Sequence, residues 1–325
     1  MSGLIDVHAH WLPAELFTLP AGAAFGAMHD RDGELYLDDI PLSIATSAMS
    51  DVAAIRKDMD TKGIDLRVLS APPFAFPLGD SGQDVAYAEA FNAALTRVVD
   101  DADGALAGLG LVALGDPAVV TAQLEALAST PLISGVAIPP LVGRTSLDTG
   151  VLRHVLAEAT RLDLAVLVHP MQLPRAEWQS YYLANLIGNP VETATAVAGL
   201  LLGGVKAELP GLRICFVHGG GCAPWLLGRW THAWKARPDV RRASQTPPET
   251  GFGELFFDTV THDARQLGLL QEVAGASRIA CGSDYPFDMA EPDPGRFALE
   301  HGPGHDALVR AAEEFLGRTP QRERR

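Results

Sequence analysis

The sequence has few cysteines and no surplus of positive charge. Its three cysteines, Cys215, Cys222 and Cys281, include no Cys-x-x-Cys pair. An odd set of thiols without such a pair suits a reducing compartment, so a cytoplasmic protein is expected. The 25 lysines and arginines are outnumbered by 40 acidic residues, which gives a net charge of -15 at pH 7. Nucleic acids and anionic membrane surfaces bind to basic patches, so neither is expected as a partner.

Targeting segments and long apolar runs are also missing. The N-terminus enters an apolar segment without the charged region, apolar core and small-residue cleavage site of a secretory signal. The longest weakly polar run, Ala194 to Val205, is too short and too rich in threonine and glycine to span a bilayer. With 47% hydrophobic and 20% charged residues, the chain is expected to fold around a large core.

Short apolar runs alternate with helical patterns along most of the chain. Strands are predicted at 4–7, 66–70, 106–111, 133–137, 164–168, 213–217, 255–257 and 279–281. Most are separated by amphipathic helices, as from about Asp51 to Lys62, where Gly63 is placed to end the helix. These eight repeats predict a (β/α)8 TIM barrel, one domain over residues 1–325, with its active site at the strand ends. An open doubly wound sheet is the alternative, but no Gly-x-Gly-x-x-Gly turn follows an early strand.

One connection is much longer than the others. Residues 11–49 follow the first strand and contain glycine, proline and more apolar residues than a linker would carry. We expect this segment to be a small insertion or lid over the site. Its residues Trp11 to Ser47, together with the loop from Pro72 to Gly82, are predicted to set the specificity for substrate.

Ionisable residues follow the apolar runs directly. They are His8 and His10 (first strand), His169 (fifth), His218 (sixth), Asp258 (seventh) and Asp284 (eighth). His8 and His10 would share one face of an extended strand. Because strand ends converge in a barrel, three histidines and a carboxylate can form the ligand set of zinc or a similar divalent ion. Each residue alone could be a buried core histidine or a loop-capping carboxylate, but their coincidence at equivalent positions favours a site.

The same residues carry a resemblance to a known family. Four segments are similar to those of the amidohydrolase superfamily: Asp6-Val7-His8-Ala9-His10, Val168-His169-Pro170, Val217-His218-Gly219-Gly220-Gly221 and Gly282-Ser283-Asp284-Tyr285-Pro286-Phe287. More narrowly, they resemble the branch that contains aminocarboxymuconate-semialdehyde decarboxylase and related non-oxidative decarboxylases. The resemblance implies that His8, His10, His169 and Asp284 hold the metal. It further implies that His218 is the catalytic acid/base and that Asp284 can also accept a proton.

The resemblance has implications for substrate and assembly as well. It implies a small carboxylic acid substrate and a homodimer in which Arg229 reaches a neighbouring subunit's site. Trp178 and Phe287 are candidate substrate contacts, although Trp178 could equally pack in the core or the lid, and Arg229 could be a helix-surface residue. A second substrate arginine would fall between Ile44 and Ser50, where the sequence has none. Its absence argues against a muconate dicarboxylate.

One divalent ion is predicted for each subunit. The fourth predicted strand and its end, residues 133–140, offer no lysine of the kind that bridges two metals in binuclear members of the superfamily. Zinc is the expected ion and manganese the alternative. Such an ion lowers the pKa of a bound water towards ~7, and His218 can exchange a proton in that range.

Two activities fit this site. The first is non-oxidative decarboxylation of a small carboxylated aromatic or muconate-semialdehyde acid. The second uses the same hydroxide as a nucleophile, as a hydrolase or hydratase acting on a ring-cleavage product, ester, lactone or amide. A metal-holding scaffold is disfavoured because it would not need an ionisable His218 beside an open coordination position.

Overall fold

A computed structural model of the chain describes residues 3–17, 19, 27–173 and 175–317. Its strands are β1 (Leu4–His10), β2 (Met28–Arg31), β3 (Glu34–Leu37), β4 (Ile40–Ala45), β5 (Ile64–Ser70), β6 (Leu106–Gly110), β7 (Ile133–Ile138), β8 (Ala165–Val168), β9 (Ile214–Phe216), β10 (Phe256–Asp258) and β11 (Ile279–Ala280).

Helices follow most of these strands. They are α1 (Thr46–Ser50), α2 (Val52–Lys62), α3 (Gly82–Asp100), α4 (Pro117–Ala128), α5 (Gly150–Arg161), α6 (Asn189–Leu202), α7 (Val205–Glu208), α8 (Ala223–Ala236), α9 (Pro238–Arg241), α10 (Pro248–Phe252), α11 (Ala264–Ala274), α12 (Pro294–His301) and α13 (His305–Leu316). A π-helical turn, Ala184–Gly188, leads into α6. Within the described ranges, no helix combines the length and apolarity needed to cross a membrane.

Eight of the strands form one parallel sheet in the order β1-β5-β6-β7-β8-β9-β10-β11. The sheet closes on itself because Val7 N donates to Cys281 O at 2.9 Å and His10 N donates to Tyr285 O at 2.7 Å. Strands β6, β7 and β8 are buried along their whole length, as expected for strands covered on both faces. The predicted (β/α)8 barrel is confirmed.

The first predicted helix, α2, shows how local sequence sets its limits. The Asp51 carboxylate accepts a hydrogen bond from Ala53 N at the N-terminus. Gly63 ends the helix in the left-handed region, with φ of 67°. Residues 189–208 form two helices, α6 and α7, and not one, because Gly204 between them has φ of 80°.

The long connection after β1 contains regular structure. Strands β2, β3 and β4 form a separate three-stranded antiparallel sheet. Leu35 and Ile44 from this sheet are buried in the main hydrophobic core, so the sheet packs on the barrel. Residues 18 and 20–26 of the predicted insertion lie outside the described residues. A role as a lid remains a prediction.

A buried arginine joins the first strands of the barrel. Arg67 on β5 is fully buried. Its Nε donates to Asp6 Oδ2 on β1 at 2.8 Å, and Nη2 donates to Asp58 Oδ2 on α2 at 2.8 Å. The guanidinium carbon also lies 4.5 Å from the centre of the Tyr285 ring. Arg67 is thus the countercharge of a carboxylate that has no access to water.

The same carboxylate of Asp6 receives hydrogen bonds from the turn after the last barrel strand, which lies beside β1. Ser283 donates to Asp6 through its Oγ at 2.6 Å and through its backbone N at 3.0 Å. Asp284 N donates to the backbone oxygen of His8 at 2.9 Å. These contacts fix where the chain after β11 lies relative to the end of β1.

We expect Arg67→Met to lower the free energy of unfolding by about 3–5 kcal/mol, because it leaves Asp6 buried without a countercharge. Chemical denaturation followed by circular dichroism measures the change. Arg265→Met is the matched control, since Arg265 is 91% exposed and pairs only with Asp263 of its own turn; it should behave as the unsubstituted protein. Equal stability of the two variants would contradict a structural role for the Arg67 pair.

Candidate metal centre

Four histidines surround one carboxylate at the carboxyl ends of the barrel strands. Asp284 Oδ1 lies 3.1 Å from Nε2 of His8, 3.1 Å from Nε2 of His10 and 3.7 Å from Nε2 of His169. Asp284 Oδ2 lies 3.2 Å from Nε2 of His218. Residues from the first, fifth, sixth and eighth barrel strands are therefore neighbours, as the sequence predicts.

Three of these histidines are held through their other ring nitrogen. His10 Nδ1 lies 3.2 Å from the Ala71 carbonyl, and His169 Nδ1 lies 2.7 Å from the Pro170 carbonyl. A carbonyl can only accept, so Nδ1 carries the proton in both rings and Nε2 keeps its lone pair. Such fixing of the ring by an outer partner is characteristic of metal-ligating histidines.

Asp258 performs this task for His8. Its Oδ2 lies 2.6 Å from His8 Nδ1, and its Oδ1 accepts from the backbone nitrogens of Gly219 and Val260 at 2.8 Å and 3.1 Å. Burial acts to raise the pKa of Asp258, but the hydrogen bond and charge of His8, the charge of His218 and the hydrogen bond from Gly219 N together outweigh it, so the pKa is lowered. Asp258 is therefore an ionised carboxylate that orients the His8 ring from the side away from Asp284. This role explains why a carboxylate stands at the end of β10.

The electrostatics of the cluster fit a divalent cation. Burial acts to raise the pKa of Asp284, but the imidazoles around it, His8 first, hold that pKa well below its ordinary range. Burial opposes a charge on His8, yet Asp284 and Asp258 on either side raise its pKa to about 10. Burial lowers the pKa of His169 to about 3. Asp258 and Asp284 thus favour positive charge among the imidazole nitrogens of the cluster.

Orphaned donor atoms support the same conclusion. Nε2 of His8 and Nε2 of His169 are buried without a hydrogen-bond partner, and both face Asp284. One ligand atom from each of His8, His169, His218 and Asp284 lies within 4.8 Å of every other. Imidazole nitrogens and a carboxylate oxygen are a suitable donor set for zinc or manganese, so the side chains fit such an ion.

His218 differs from the other three histidines. Its side chain is 17% exposed, whereas those of His8 and His10 are wholly buried, and its Nδ1 has no partner that would fix the ring. His218 is followed by three glycines. A side chain at Gly221 would not fit, because its Cβ would lie 2.5 Å from the backbone oxygen of Pro190. The distances alone group His218 with His8 and His169, but the missing outer partner favours a proton-transfer role. The predicted ligand and base assignments remain predictions.

A cavity of about 390 Å³ opens above the cluster. His169, His218 and Asp284 form its floor. The remaining lining comes from the small sheet and from the loops after β5, β8 and β11: Leu37, Ile40, Pro41, Leu42, Ser43, Pro73, Phe74, Met171, Gln172, Tyr182, Asn185, Asn189, Phe287, Asp288 and Met289.

The three predicted substrate contacts lie in different places. Phe287 lines the cavity, with its ring centre 5.0 Å from that of His10 and 6.2 Å from that of Phe74. Trp178 lies outside the lining, under the Arg175 guanidinium at 4.8 Å. Arg229 is exposed on α8 and is also outside this lining. Sequence reasoning missed Phe74, Asp288 and Met289, although each lies in a loop that follows a barrel strand.

A buried carboxylate shapes the loop after His169. Glu192 on α6 accepts from Met171 N at 2.9 Å through Oε2 and from Leu173 N at 2.6 Å through Oε1. Asn189 Oδ1 accepts from Gln172 N at 3.1 Å. The start of α6 therefore holds this wall of the cavity in place.

A parallel eight-stranded barrel with histidines and a carboxylate converging at its strand ends defines the class of metal-dependent barrel enzymes. The amidohydrolase family model matches residues 5–320, and the chain belongs to this family. The predicted membership is confirmed.

Known relatives are named as decarboxylases. The 2-amino-3-carboxymuconate-6-semialdehyde decarboxylase of Dictyostelium discoideum is 27% identical over 332 residues, covering 98% of this chain and 92% of that protein. The crystal structure of 5-carboxyvanillate decarboxylase from Sphingomonas paucimobilis has a TM-score of 0.82 at 21% identity, covering 97% of this chain and 99% of that one. The predicted enzyme class, a carboxy-lyase of the amidohydrolase superfamily, agrees with these names.

A further solved structure contains a metal. The 5-carboxyvanillate decarboxylase of Novosphingobium aromaticivorans, complexed with manganese and 4-hydroxy-3-methoxy-5-nitrobenzoic acid, has a TM-score of 0.76 at 18% identity. The alignment covers 97% of this chain and 96% of that one. At this level of identity the likeness shows the shared fold.

We expect Asp258→Asn to weaken metal affinity by about 10-fold to 100-fold, because it removes the charged acceptor that orients His8. Competition with a chromogenic chelator measures the affinity. Asp306→Asn, at an exposed carboxylate at the start of α13, is the control and should leave affinity unchanged. Unaltered affinity in Asp258→Asn would show that the strand alone orients His8.

Proposed function

We propose that this protein is a metal-dependent non-oxidative decarboxylase of a small aromatic carboxylic acid. The observation that carries the proposal is the placement of ligand-type histidines and Asp284 at the floor of a cavity whose walls are mainly apolar and aromatic. Decarboxylases among the relatives support the reaction type. Muconate-semialdehyde acids are the other substrate class, because one relative is named for such a substrate.

His8, His10, His169 and Asp284 would hold one divalent ion. When bound, the ion supplies Lewis-acid polarisation of the acid oxygens of the substrate. Zinc is the ion that we expect, and manganese is the alternative, because the Novosphingobium relative was solved with it. Asp258, Ala71 and Pro170 would keep the three rings in the ligating orientation through Nδ1.

His218 would handle the proton. It lines the cavity and contacts Asp284 Oδ2 at 3.2 Å, so it can carry a proton between that carboxylate and a bound acid. In the proposed reaction His218 delivers a proton to the ring carbon that bears the carboxylate. The bond between that carbon and the carboxylate then breaks, its electron pair restores the aromatic ring, and carbon dioxide leaves.

The cavity walls suit a flat ring. Phe74 and Phe287 stand at a near right angle to each other, and Met171 and Met289 are side chains that adapt to an irregular surface. Asn185 and Asn189 add neutral hydrogen-bonding groups. An aromatic acid would pack its ring on these walls with its carboxylate at the floor.

Assembly as a homodimer belongs to the same proposal. Arg229 is exposed on α8 and is not among the described residues that line its own cavity. Trp225, one turn earlier on that helix, is 80% exposed. We propose that this face of α8 meets a second copy and that Arg229 serves the carboxylate in that copy's cavity.

The first experiment is a measurement of carbon dioxide release by metal-replete protein with a panel of hydroxybenzoates, aminobenzoates and muconate semialdehydes. Release that is abolished by a chelator and restored by zinc or manganese would support the proposal. Turnover of esters, lactones or amides without carbon dioxide would replace it with the hydrolase or hydratase activity at the same site.

We expect His218→Ala to retain its metal and to lower kcat for carbon dioxide release by about 100-fold to 10,000-fold, because the proton-transfer group is removed. Elemental analysis gives metal content beside the rate. His301→Ala, at an exposed histidine at the end of α12, is the matched control and should keep full activity. Loss of metal from His218→Ala would make His218 a ligand and not the acid/base.

A further inference from the structure

The cavity contains negative charge and no cationic side chain. Its lining within the described residues includes two carboxylates, Asp284 and Asp288, but neither lysine nor arginine. Asp284 belongs to the proposed metal centre, so a bound divalent ion would neutralise its negative charge. Asp288 has no such partner on the cavity wall. An acid that enters therefore meets one uncompensated carboxylate.

Asp288 is held in position by a closed loop. Phe287 N donates to Asp284 O at 3.1 Å, Ala290 N donates to Phe287 O at 3.0 Å, and Glu291 N donates to Ser283 O at 2.8 Å. The loop thus begins and ends at the last barrel strand, beside the carboxylate of the metal centre. These backbone hydrogen bonds fix the main chain on either side of Asp288, whose exposed side chain lies on the cavity wall.

The charge of Asp288 reaches across the cavity. Burial raises the pKa of Tyr182, and Asp288 and Asp284 raise it further. The neighbouring Gln172 and Asn185 side chains act in the opposite direction and lower this pKa. The wall near Asp288 therefore consists of neutral polar groups, none of which would neutralise a second acid group on a ligand.

We propose that Asp288 determines substrate specificity: the cavity selects acids whose reacting carboxylate is their only negative charge and favours a ring that carries a hydroxyl or amino donor towards Asp288. This inference rests on the proposed function only for the identity of the reacting carboxylate. A donor would satisfy Asp288 by a charge-assisted hydrogen bond. A second carboxylate would be repelled there.

Matched ligands test the inference. Salicylate, 4-aminosalicylate and 4-carboxysalicylate differ in one ring substituent, and the 5-substituted pair covers the other orientation of the ring. Their affinities for metal-loaded protein are measured by calorimetry, and carbon dioxide release is followed separately. Unsubstituted protein should bind the dicarboxylates about 10-fold or more weakly than salicylate, because two carboxylates repel in a partly buried cavity.

Asp288→Asn keeps the shape of the side chain and removes its charge. We expect this variant to bind dicarboxylates about 10-fold better relative to salicylate and to lose its preference for the amino compound. Glu291→Gln is the control, because Glu291 lies in the same loop outside the cavity lining and should not change the ratio.

The outcomes separate the two proposals. An unchanged affinity ratio in Asp288→Asn overturns the inference, even if carbon dioxide is released. The expected ratios without carbon dioxide release support the inference and overturn the decarboxylase proposal. Tight dicarboxylate binding that is lost in Arg229→Ala would show that Arg229 of a neighbouring copy neutralises the second carboxylate, which overturns the inference. Failure of every acid to bind would overturn both.

Discussion

The buried contacts of Asp6 set the geometry on which the rest of the site depends. Arg67 and Ser283 both bond to this carboxylate, one from the second barrel strand and one from the turn after the last strand. Asp6 stands two residues before His8, and Ser283 stands directly before Asp284. The barrel could close through strand pairing alone, but pairing would leave the turn after β11 free to adjust. The ion pair and hydroxyl bond fix that turn, because a buried carboxylate that lost either partner would be left unsatisfied in an environment without water.

A second constraint separates the stability of the fold from the chemistry of the site. The ligand-type histidines lie on strand ends whose backbones belong to the barrel sheet, and their rings are oriented by Ala71, Pro170 and Asp258. His218 instead begins a glycine-rich turn with φ of 55° and lacks an outer partner. These two environments suit the two proposed roles. A metal centre needs fixed distances between its ligands, whereas a proton carrier must reach both Asp284 and the substrate.

The sequence predicted the barrel and the residues at its strand ends because both depend on local patterns. Apolar runs such as Ala165–Val168 identify buried parallel strands, and the first ionisable residue after each run identifies its end. The contacts that organise these residues were not predictable, because they join distant positions. Nothing in the residues around Arg67 reveals that it faces Asp6, and Asp258 has the same sequence signal as Asp284 although it lies behind His8. The small sheet at 28–45 also escaped prediction, because its strands are short and partly charged, as in Met28–Arg31. Its burial through Leu35 and Ile44 is a tertiary effect.

The cavity walls show why substrate is harder to infer than reaction type. The floor comes from strand ends, whose positions follow from the fold. The walls come from three separate loops and the small sheet, each with its own sequence. Trp178, large and close in sequence to His169, was a candidate for the wall. The contacts of Glu192 and Asn189 hold residues 171–173, of which Met171 and Gln172 line the cavity, whereas Trp178 lies beside Arg175. The sequence around Asp288 is that of an ordinary exposed turn and does not indicate that it lines a cavity. The effect that we propose for it comes from what surrounds it, since no lysine or arginine among the described lining residues opposes its charge. The proposed specificity therefore depends on the charge balance of several loops, which no single motif contains.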